Sequence, residues 1–312
     1  GDALDHDCDG VVDELGGCGE TPLGALSHLS TLASAPARDL FVSGGLAYVA
    51  TSTGLLEIDV TAPEAPEVTG WADTGDSHGV FLSGDDAFVA TAMGLFRVDV
   101  SWPGRMAITG GPWPTGDSRG VFVKGSEAYV AAYSGLYVVD LRGAPRVVGS
   151  IETGDAADSR SVFAGPDHVF VTRNAEEGGL YSVFVDAEGR PRVVSVADGV
   201  PAAEGLFVAE GFAYVGACPD MVLAGAVGGV NALATYPTGC TSDAFVSGQH
   251  AYVLGERGLY VFEFDVANPR VPEDSRGPFP VDGGHGVFVS GCHVYVAAEG
   301  GLHVFSHIEA CP

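Results

Sequence analysis

The first candidate for chemistry is an acidic segment near the start of the chain, Asp5-His6-Asp7-Cys8-Asp9-Gly10-Val11-Val12-Asp13-Glu14. Carboxylates at alternate positions followed by glycine are typical of a loop that curls around a cation, because the glycine permits the sharp bend and the next residue offers its carbonyl oxygen. Gly16 stands where a helix–loop–helix calcium hand would carry its glutamate, so this loop lies outside that fold. Hard oxygen ligands favour calcium over copper, although His6 leaves a softer metal open. We expect a cation loop; the alternative is an acidic tail. The metal ligands and adjoining motif residues would be Asp5, Asp7, Asp9, Val11, Asp13 and Glu14.

The second candidate is a set of polar residues, each three positions before a recurring phenylalanine. Three copies read Thr-Gly-Asp-Ser-His/Arg-Gly or a close variant. Five of the seven residues can be basic, which predicts a cationic ring that attracts a small anion or a carboxylate. The seven positions are Arg38, His78, Arg119, Arg160, Glu204, Ser242 and His285.

Two other interpretations of this ring stay open. Asp and Ser before a strand often cap a turn through side-chain to backbone hydrogen bonds, and each Arg could pair with the Asp of a neighbouring copy. An enzyme could instead use His78, His285 or Glu204 as acid or base. No nucleophile–base–acid spacing is recognisable, and the sequence alone does not define a triad.

The elements that must position these residues are repeated. The recurring phenylalanines are Phe41, Phe81, Phe122, Phe163, Phe207, Phe245 and Phe288, spaced 38 to 44 residues apart. A period near 40 with several short strands is typical of a β-propeller blade. The sequence therefore predicts an all-β, seven-bladed propeller with four strands, a to d, in each blade. His28–Ala33 should form the outer strand that closes the last blade.

Strand a is innermost in a blade, so the ring residues should crowd the mouth of the central channel, on the face shared by the d–a and b–c loops. The recurring aromatic residues are expected to pack between blades. Blade five departs from the pattern: we expect its strand c at Gly229–Leu233, after a long apolar b–c loop at Cys218–Gly229. Such a loop would be either a binding surface or a cover over the channel. Five recurring aspartates should cap the c–d turns: Asp59, Asp99, Asp140, Asp186 and Asp265.

The six cysteines fall into neighbouring pairs. Sequence alone permits fifteen connectivities. Blade topology places Cys218 and Cys240 on one face, and Cys292 and Cys311 on the other. We expect three disulfides, Cys8–Cys18, Cys218–Cys240 and Cys292–Cys311, and an oxidising compartment. The chain begins Gly1-Asp2 without Met, so we expect that an export signal has been removed.

Charge and hydropathy exclude two classes of partner. Asp and Glu number 41 against 14 Lys and Arg, a net charge of −27. Nucleic acid binding needs a basic surface, so we expect none. No apolar run is long enough for a transmembrane helix, so we expect no membrane span.

Two resemblances follow from these motifs. The repeat A-Y-V-A…G-L-x-x-x-D-V…P, over roughly residues 26 to 307, resembles the LVIVD repeat of bacterial and archaeal surface proteins. It implies location and architecture rather than chemistry. Residues 1 to 14 resemble the D-x-D-C-D-G-x-x-D-E metal-binding motif of MopE-type bacterial surface proteins. That resemblance implies Asp5, Asp7, Asp9 and Asp13 as ligands.

We thus expect an acidic, disulfide-bearing segment at residues 1–20 and a propeller at residues 26–312. The favoured function is a non-catalytic, secreted or cell-surface binding module that recognises a protein or a small anionic ligand at the d–a/b–c face. The alternatives are an enzyme working at the channel mouth and a structural surface spacer.

Overall fold

The structure, a computed structural model, describes residues 26–153, 158–174, 176, 179–226, 229–265 and 268–307. Within these ranges the chain forms 28 β-strands and no helix. The strands make seven antiparallel sheets of four strands each. This confirms the predicted seven-bladed β-propeller.

Six blades each take four consecutive strands, in the order a, b, c, d from the channel outward. Blade one is β2 (Ala37–Ser43), β3 (Leu46–Thr51), β4 (Gly54–Asp59) and β5 (Glu67–Ala72). Blade two is β6 (Ser77–Ser83), β7 (Asp86–Thr91), β8 (Gly94–Asp99) and β9 (Ala107–Trp113). Blade three is β10 (Ser118–Lys124), β11 (Glu127–Ala132), β12 (Gly135–Asp140) and β13 (Arg146–Ile151). Blade four is β14 (Ser159–Ala164), β15 (Val169–Arg173), β16 (Leu180–Val185) and β17 (Pro191–Ala197). Blade five is β18 (Leu206–Ala209), β19 (Phe212–Val215), β20 (Met221–Gly225) and β21 (Asn231–Tyr236). Blade six is β22 (Asp243–Ser247), β23 (His250–Gly255), β24 (Gly258–Glu263) and β25 (Asp274–Phe279).

Blade seven joins the two ends of the described chain. Its inner strands are β26 (Gly284–Ser290), β27 (His293–Ala298) and β28 (Gly301–His307), and its outer strand is β1 (Leu26–Ala33). β1 runs antiparallel to β28, with Ala33 opposite Gly301. The predicted closure by His28–Ala33 is confirmed, and it removes an open sheet edge.

The core lies between neighbouring blades, where apolar side chains of strands a, b and c are buried. The seven recurring phenylalanines form a closed ring around the channel, with neighbouring ring centroids 4.5 to 5.6 Å apart. Packing between blades, as predicted, is therefore confirmed for these residues. Each pair brings together two blades, so the ring stabilises closure of the propeller.

The c–d turns are capped as predicted at Asp59, Asp99, Asp140 and Asp186. The Asp59 carboxylate accepts hydrogen bonds from the Thr61 backbone N–H at 2.9 Å and hydroxyl at 2.6 Å. The equivalent bonds come from the backbone N–H of Ser101, Arg142 and Glu188. Hydrogen bonds to the ionised form lower the pKa of the Asp59 carboxyl.

Blade five differs from the sequence prediction. Strand c is β20 (Met221–Gly225), and Asn231–Tyr236 is strand d, so the expected strand c at Gly229–Leu233 is wrong. Within the segment predicted as a loop, Met221–Gly225 is strand, and Met221 and Leu223 are fully buried in it. Its apolar composition reflects burial between blades. Because blade five lacks the G-L-x-x-x-D-V signature, its predicted strand c lies too far toward the C-terminus.

The short b–c connection of blade five is fixed covalently. Cys218, in this connection, forms a disulfide with Cys240, in the connection that follows β21. This pair was predicted, and both residues lie on the same face as predicted. The pairs Cys8–Cys18 and Cys292–Cys311 each include a residue outside the described part of the chain.

Candidate functional site at the channel mouth

The seven ring residues converge on one cavity at the channel mouth. All of them line a space of about 410 Å³, together with carboxylates from the preceding turns. The convergence predicted from the repeat alignment is therefore present in the fold. Its members, in blade order, are Arg38, His78, Arg119, Arg160, Glu204, Ser242 and His285.

A β-bulge at the start of strand a aims several of these side chains into the mouth. In blade one, Ala37 pairs with Thr51 and Asp39 with Ala50, which leaves Arg38 as the extra residue. The register shifts at the same place in blades two, three, four and seven. A bulge bends the strand and redirects its side chain. The five ring residues in these bulges therefore leave the regular alternation of the sheet.

The turns that precede strand a are held by hydroxyl pairs. Thr74 and Ser77 hydrogen-bond at 2.9 Å, and the same pair recurs in blade three as Thr115 and Ser118 at 2.8 Å. The Tyr133 backbone N–H, from a b–c turn, donates to the Asp117 carbonyl at 2.8 Å. Ser77 Oγ also donates to the Gly75 carbonyl and Ser118 Oγ to the Gly116 carbonyl, each at 3.1 Å, so the turn-capping interpretation is confirmed for these serines. The hydrogen bond between Tyr133 and Asp117 also shows that the b–c turns and d–a loops lie on one face.

Each arginine of the ring forms an ion pair with an aspartate. Arg38 contacts Asp76 of the next blade at 2.8 Å, whereas Arg119 contacts Asp117 of its own copy at 2.7 Å. Arg160 likewise contacts Asp158 of its own copy at 2.5 Å, and Glu204 of the next blade at 3.4 Å. The expected cationic ring is therefore wrong in its charge, because a carboxylate from an adjacent turn faces each arginine. The mouth has mixed charge.

His78 is buried within this network. Its Nδ1 lies 2.8 Å from the Ser118 carbonyl, which only accepts hydrogen bonds, so Nδ1 carries a proton. Burial lowers the pKa of His78, and the Arg119 and Arg38 charges lower it further. His78 is therefore a neutral, positioned side chain at neutral pH.

The second histidine and the serine of the ring hydrogen-bond to acceptor oxygens. His285 Nε2 lies 3.1 Å from the Glu299 carboxylate, and Ser242 Oγ donates to the Gly284 carbonyl at 2.8 Å. Burial raises the pKa of Glu204 above its ordinary range, while Arg160 opposes that effect. In the mouth as the structure describes it, no hydroxyl hydrogen-bonds to either histidine. The arrangement fits recognition by charged groups better than acyl transfer.

Exposed apolar side chains lie on the same face as the mouth. Met93 is 60% exposed and Tyr133 is 51% exposed, each in a b–c turn. Trp71 is 54% exposed and donates its Nε1–H to the carbonyl of Thr53, in the b–c turn of blade one. Blades one to three thus present large apolar groups on the same face as a mixed-charge centre. Sequence reasoning did not single these residues out.

A second cavity lies below the mouth and was also missed. It has a volume of about 520 Å³, is lined by all seven recurring phenylalanines, and shares Asp39, Ser161 and Asp243 with the mouth. Burial raises the pKa of Asp39 to about 6 and that of Asp243 to about 8. The available signal was the position two before each Phe. It carries Asp in two copies and Gly or Ser in the other five.

The predicted metal residues, from Asp5 to Glu14, lie outside the described part of the chain. Within the described part, no group of three or more His, Cys, Asp or Glu could hold a metal ion. Nor does any helix in that same part of the chain have the length and apolar character to span a membrane.

Three consecutive segments, residues 35–74, 74–111 and 115–150, match the LVIVD repeat family model. The chain carries LVIVD repeats. No curated protein sequence matches it.

Solved structures share the propeller fold of this LVIVD-repeat chain at low sequence identity. The Pan2 WD40 domain of Neurospora crassa is 13% identical, with a TM-score of 0.69 over 93% of this chain and 97% of that one. The WD40 propeller domain of Doa1 is 12% identical, with a TM-score of 0.68 over 92% and 98%. Virginiamycin B lyase from Staphylococcus aureus is 10% identical, with a TM-score of 0.68 over 91% and 99%. At such identity the likeness shows the fold alone.

Proposed function

We propose that this protein is an exported or cell-surface binding propeller, without catalytic activity, that engages a protein partner at its mouth face. The observation that carries the proposal is the combination on one face of a mixed-charge centre and the exposed Trp71, Met93 and Tyr133. Aromatic residues, Met and Arg are the types enriched in protein interfaces. Their burial by a partner supplies most of the binding energy at such surfaces.

The charges of the mouth favour a polypeptide over a small anion. An anion would have to displace Asp76, Asp117 or Asp158 from an arginine that already has a partner. A polypeptide segment that presents both acidic and basic groups can exchange these pairs without leaving a charge unpaired. A small anionic ligand remains the second candidate, because Arg119 contacts Asp117 through one Nη atom, and a guanidinium has five donor hydrogens.

The test is capture of a partner from the cell envelope of the native organism, with wild-type protein and matched variants as bait. The mouth variants are Met93→Ser/Tyr133→Ser and Arg119→Ala/Arg160→Ala. Trp102→Ser is the control, because Trp102 is 72% exposed in a c–d turn on the opposite face. With the purified partner, each mouth variant should weaken binding about tenfold or more, which corresponds to about 1.4 kcal/mol. Equal binding by all three variants would reject the mouth as the interface.

The cellular location is part of the same proposal. The Cys218–Cys240 disulfide fits an oxidising compartment outside the cytosol. The LVIVD repeats add the resemblance to surface proteins. Measuring the protein in surface-labelled and cytosolic fractions of native cells tests this; a purely cytosolic protein would contradict it.

We further propose that residues 5–14 bind calcium, on the strength of the D-x-D-x-D-G pattern alone. Calorimetric titration of the chelator-treated protein with calcium should show saturable heat. Asp7→Asn/Asp9→Asn should abolish it, because it removes two of the hard oxygen charges. Absence of heat from the wild type at millimolar calcium would remove the proposal.

A further inference from the structure

The lower cavity has the dimensions and lining of a small-molecule site. Its volume of about 520 Å³ falls inside the range of roughly 300–1,000 Å³ found for ligand pockets. All seven ring phenylalanines line it, and Phe41, Phe81, Phe122 and Phe207 are only partly buried. An apolar wall of this kind favours a ligand with an apolar body.

Two carboxyl groups stand at the end of this cavity nearest the mouth. Asp39 and Asp243 are the only titratable side chains among the described residues that line it. Asp39 Oδ1 accepts from the Leu40 N–H at 2.8 Å, and Oδ2 accepts from the Val80 N–H at 2.9 Å. Asp243 Oδ2 accepts from the Val287 N–H at 3.0 Å. These bonds orient both carboxyls, and each oxygen retains a lone pair for another donor.

The pair lacks a cation of its own within the cavity. None of the described lining residues is Lys, Arg or His. Both carboxyls line the same cavity, and repulsion from Asp39 adds to burial in raising the pKa of Asp243. A bound cation would relieve both the repulsion and the unfavourable burial of charge.

We propose that this cavity binds a small organic cation, with its ammonium group at Asp39 and Asp243 and its apolar body among the phenylalanines. The site goes beyond the protein-binding function proposed for the mouth, because its apolar part extends away from that face. It ends at Ser43 and Gly84, next to the a–b turns of blades one and two. These turns are not crowded, since a Cβ built on Gly44, Gly84 or Gly125 would have no described atom within 4 Å.

The test uses three probes of similar shape that differ in charge: 2-phenylethylammonium, 2-phenylethanol and 3-phenylpropanoate. Isothermal titration calorimetry at neutral pH should show saturable binding of the ammonium, about tenfold or more tighter than either other probe. A charged hydrogen bond supplies the free energy for such a ratio. This comparison needs only the wild-type protein. Equal binding of the three probes, or no binding of the ammonium, would overturn the proposal.

Variants then locate the site. Asp39→Asn/Asp243→Asn should weaken the ammonium about tenfold or more, and should leave 2-phenylethanol unchanged. The substitution removes two acidic groups from a chain with a net charge of −27, so non-specific attraction of cations would survive it. Arg119→Ala/Arg160→Ala, at the mouth, should leave ammonium binding intact. Loss of ammonium binding in that variant alone would assign the cation to the mouth and overturn the proposal. The outcome of these ammonium titrations does not depend on whether a protein partner is found at the mouth.

Discussion

Replacing Asp243 by Asn should change from destabilising to stabilising as pH rises. The carboxyl stands where the mouth and the lower cavity meet, accepts from the Val287 N–H at 3.0 Å, and has a pKa raised to about 8 by burial. In the unfolded chain the pKa returns to its ordinary value of 3.8. Between these values the folded protein holds a proton that the unfolded chain releases. Wild-type stability therefore falls as pH rises through this window.

The size of the effect follows from the same two values. Their difference is worth at most about 6 kcal/mol, at 1.36 kcal/mol per pH unit. Solvent in the channel screens the ionised carboxylate, so we expect about 3 kcal/mol between pH 4 and pH 8. The amide accepts one backbone N–H fewer, which costs about 1 kcal/mol at every pH. Asp243→Asn should therefore be about 1 kcal/mol less stable than wild type at pH 4, and about 2 kcal/mol more stable at pH 8.

Urea unfolding at pH 4, 6 and 8 and constant ionic strength, followed by circular dichroism, measures this difference. Asp59→Asn is the control, because hydrogen bonds from Thr61 lower the pKa of that carboxyl and its difference from wild type should stay constant from pH 4 to pH 8. Its ionised form stabilises the fold above pH 4, and that stability is lost as pH falls through the lowered pKa. A difference between wild type and Asp243→Asn that stays constant from pH 4 to pH 8 would refute the burial argument.

Three further predictions concern the fold, each measured by the same unfolding experiment. Cys218→Ser/Cys240→Ser should cost about 3 kcal/mol, because the bond spans a sequence separation of 22 residues; an unchanged midpoint under oxidising conditions would contradict this. Glu210→Gly should add about 1 kcal/mol, because Glu210 has a φ of 49° where five other blades have glycine; a loss of stability would show that its side chain compensates. Gly79→Ala should cost about 2 kcal/mol or more, because its Cβ would lie 2.6 Å from the Arg119 carbonyl oxygen; a neutral result would mean that strand a can shift.

The fold was predictable from sequence because one phrase recurs in every blade. The spacing of the phenylalanines identified the blades, and the leftover segment before the first copy identified the closing strand. The prediction for strand c of blade five was wrong because the repeat sequence changes there. Met221–Gly225 has apolar residues without the G-L-x-x-x-D-V signature, so its strand was assigned to the next stretch. Periodicity cannot distinguish an apolar strand from an apolar loop when the turn signals are missing.

The site was predictable in position but not in charge. Counting back from each phenylalanine found the ring, because every copy places that residue at the channel mouth. The partner of each arginine depends on how neighbouring blades are rotated, and sequence does not give that rotation. Arg38 reaches Asp76 across the blade boundary, whereas Arg119 uses Asp117 from its own turn. The bulge that redirects these side chains also has no simple sequence signature.

The closing of blade seven has a consequence for synthesis on the ribosome. β1 is the first described strand to be made, yet its partner β28 is among the last. Six blades can form one after another during synthesis, and the edge of β1 stays unpaired until β28 is made. His28 and Thr31 are exposed in the finished blade, and such polar residues make an edge less prone to pair with another chain. The ring can therefore close only after β28 has been synthesised, and a product truncated before this strand would leave the propeller open.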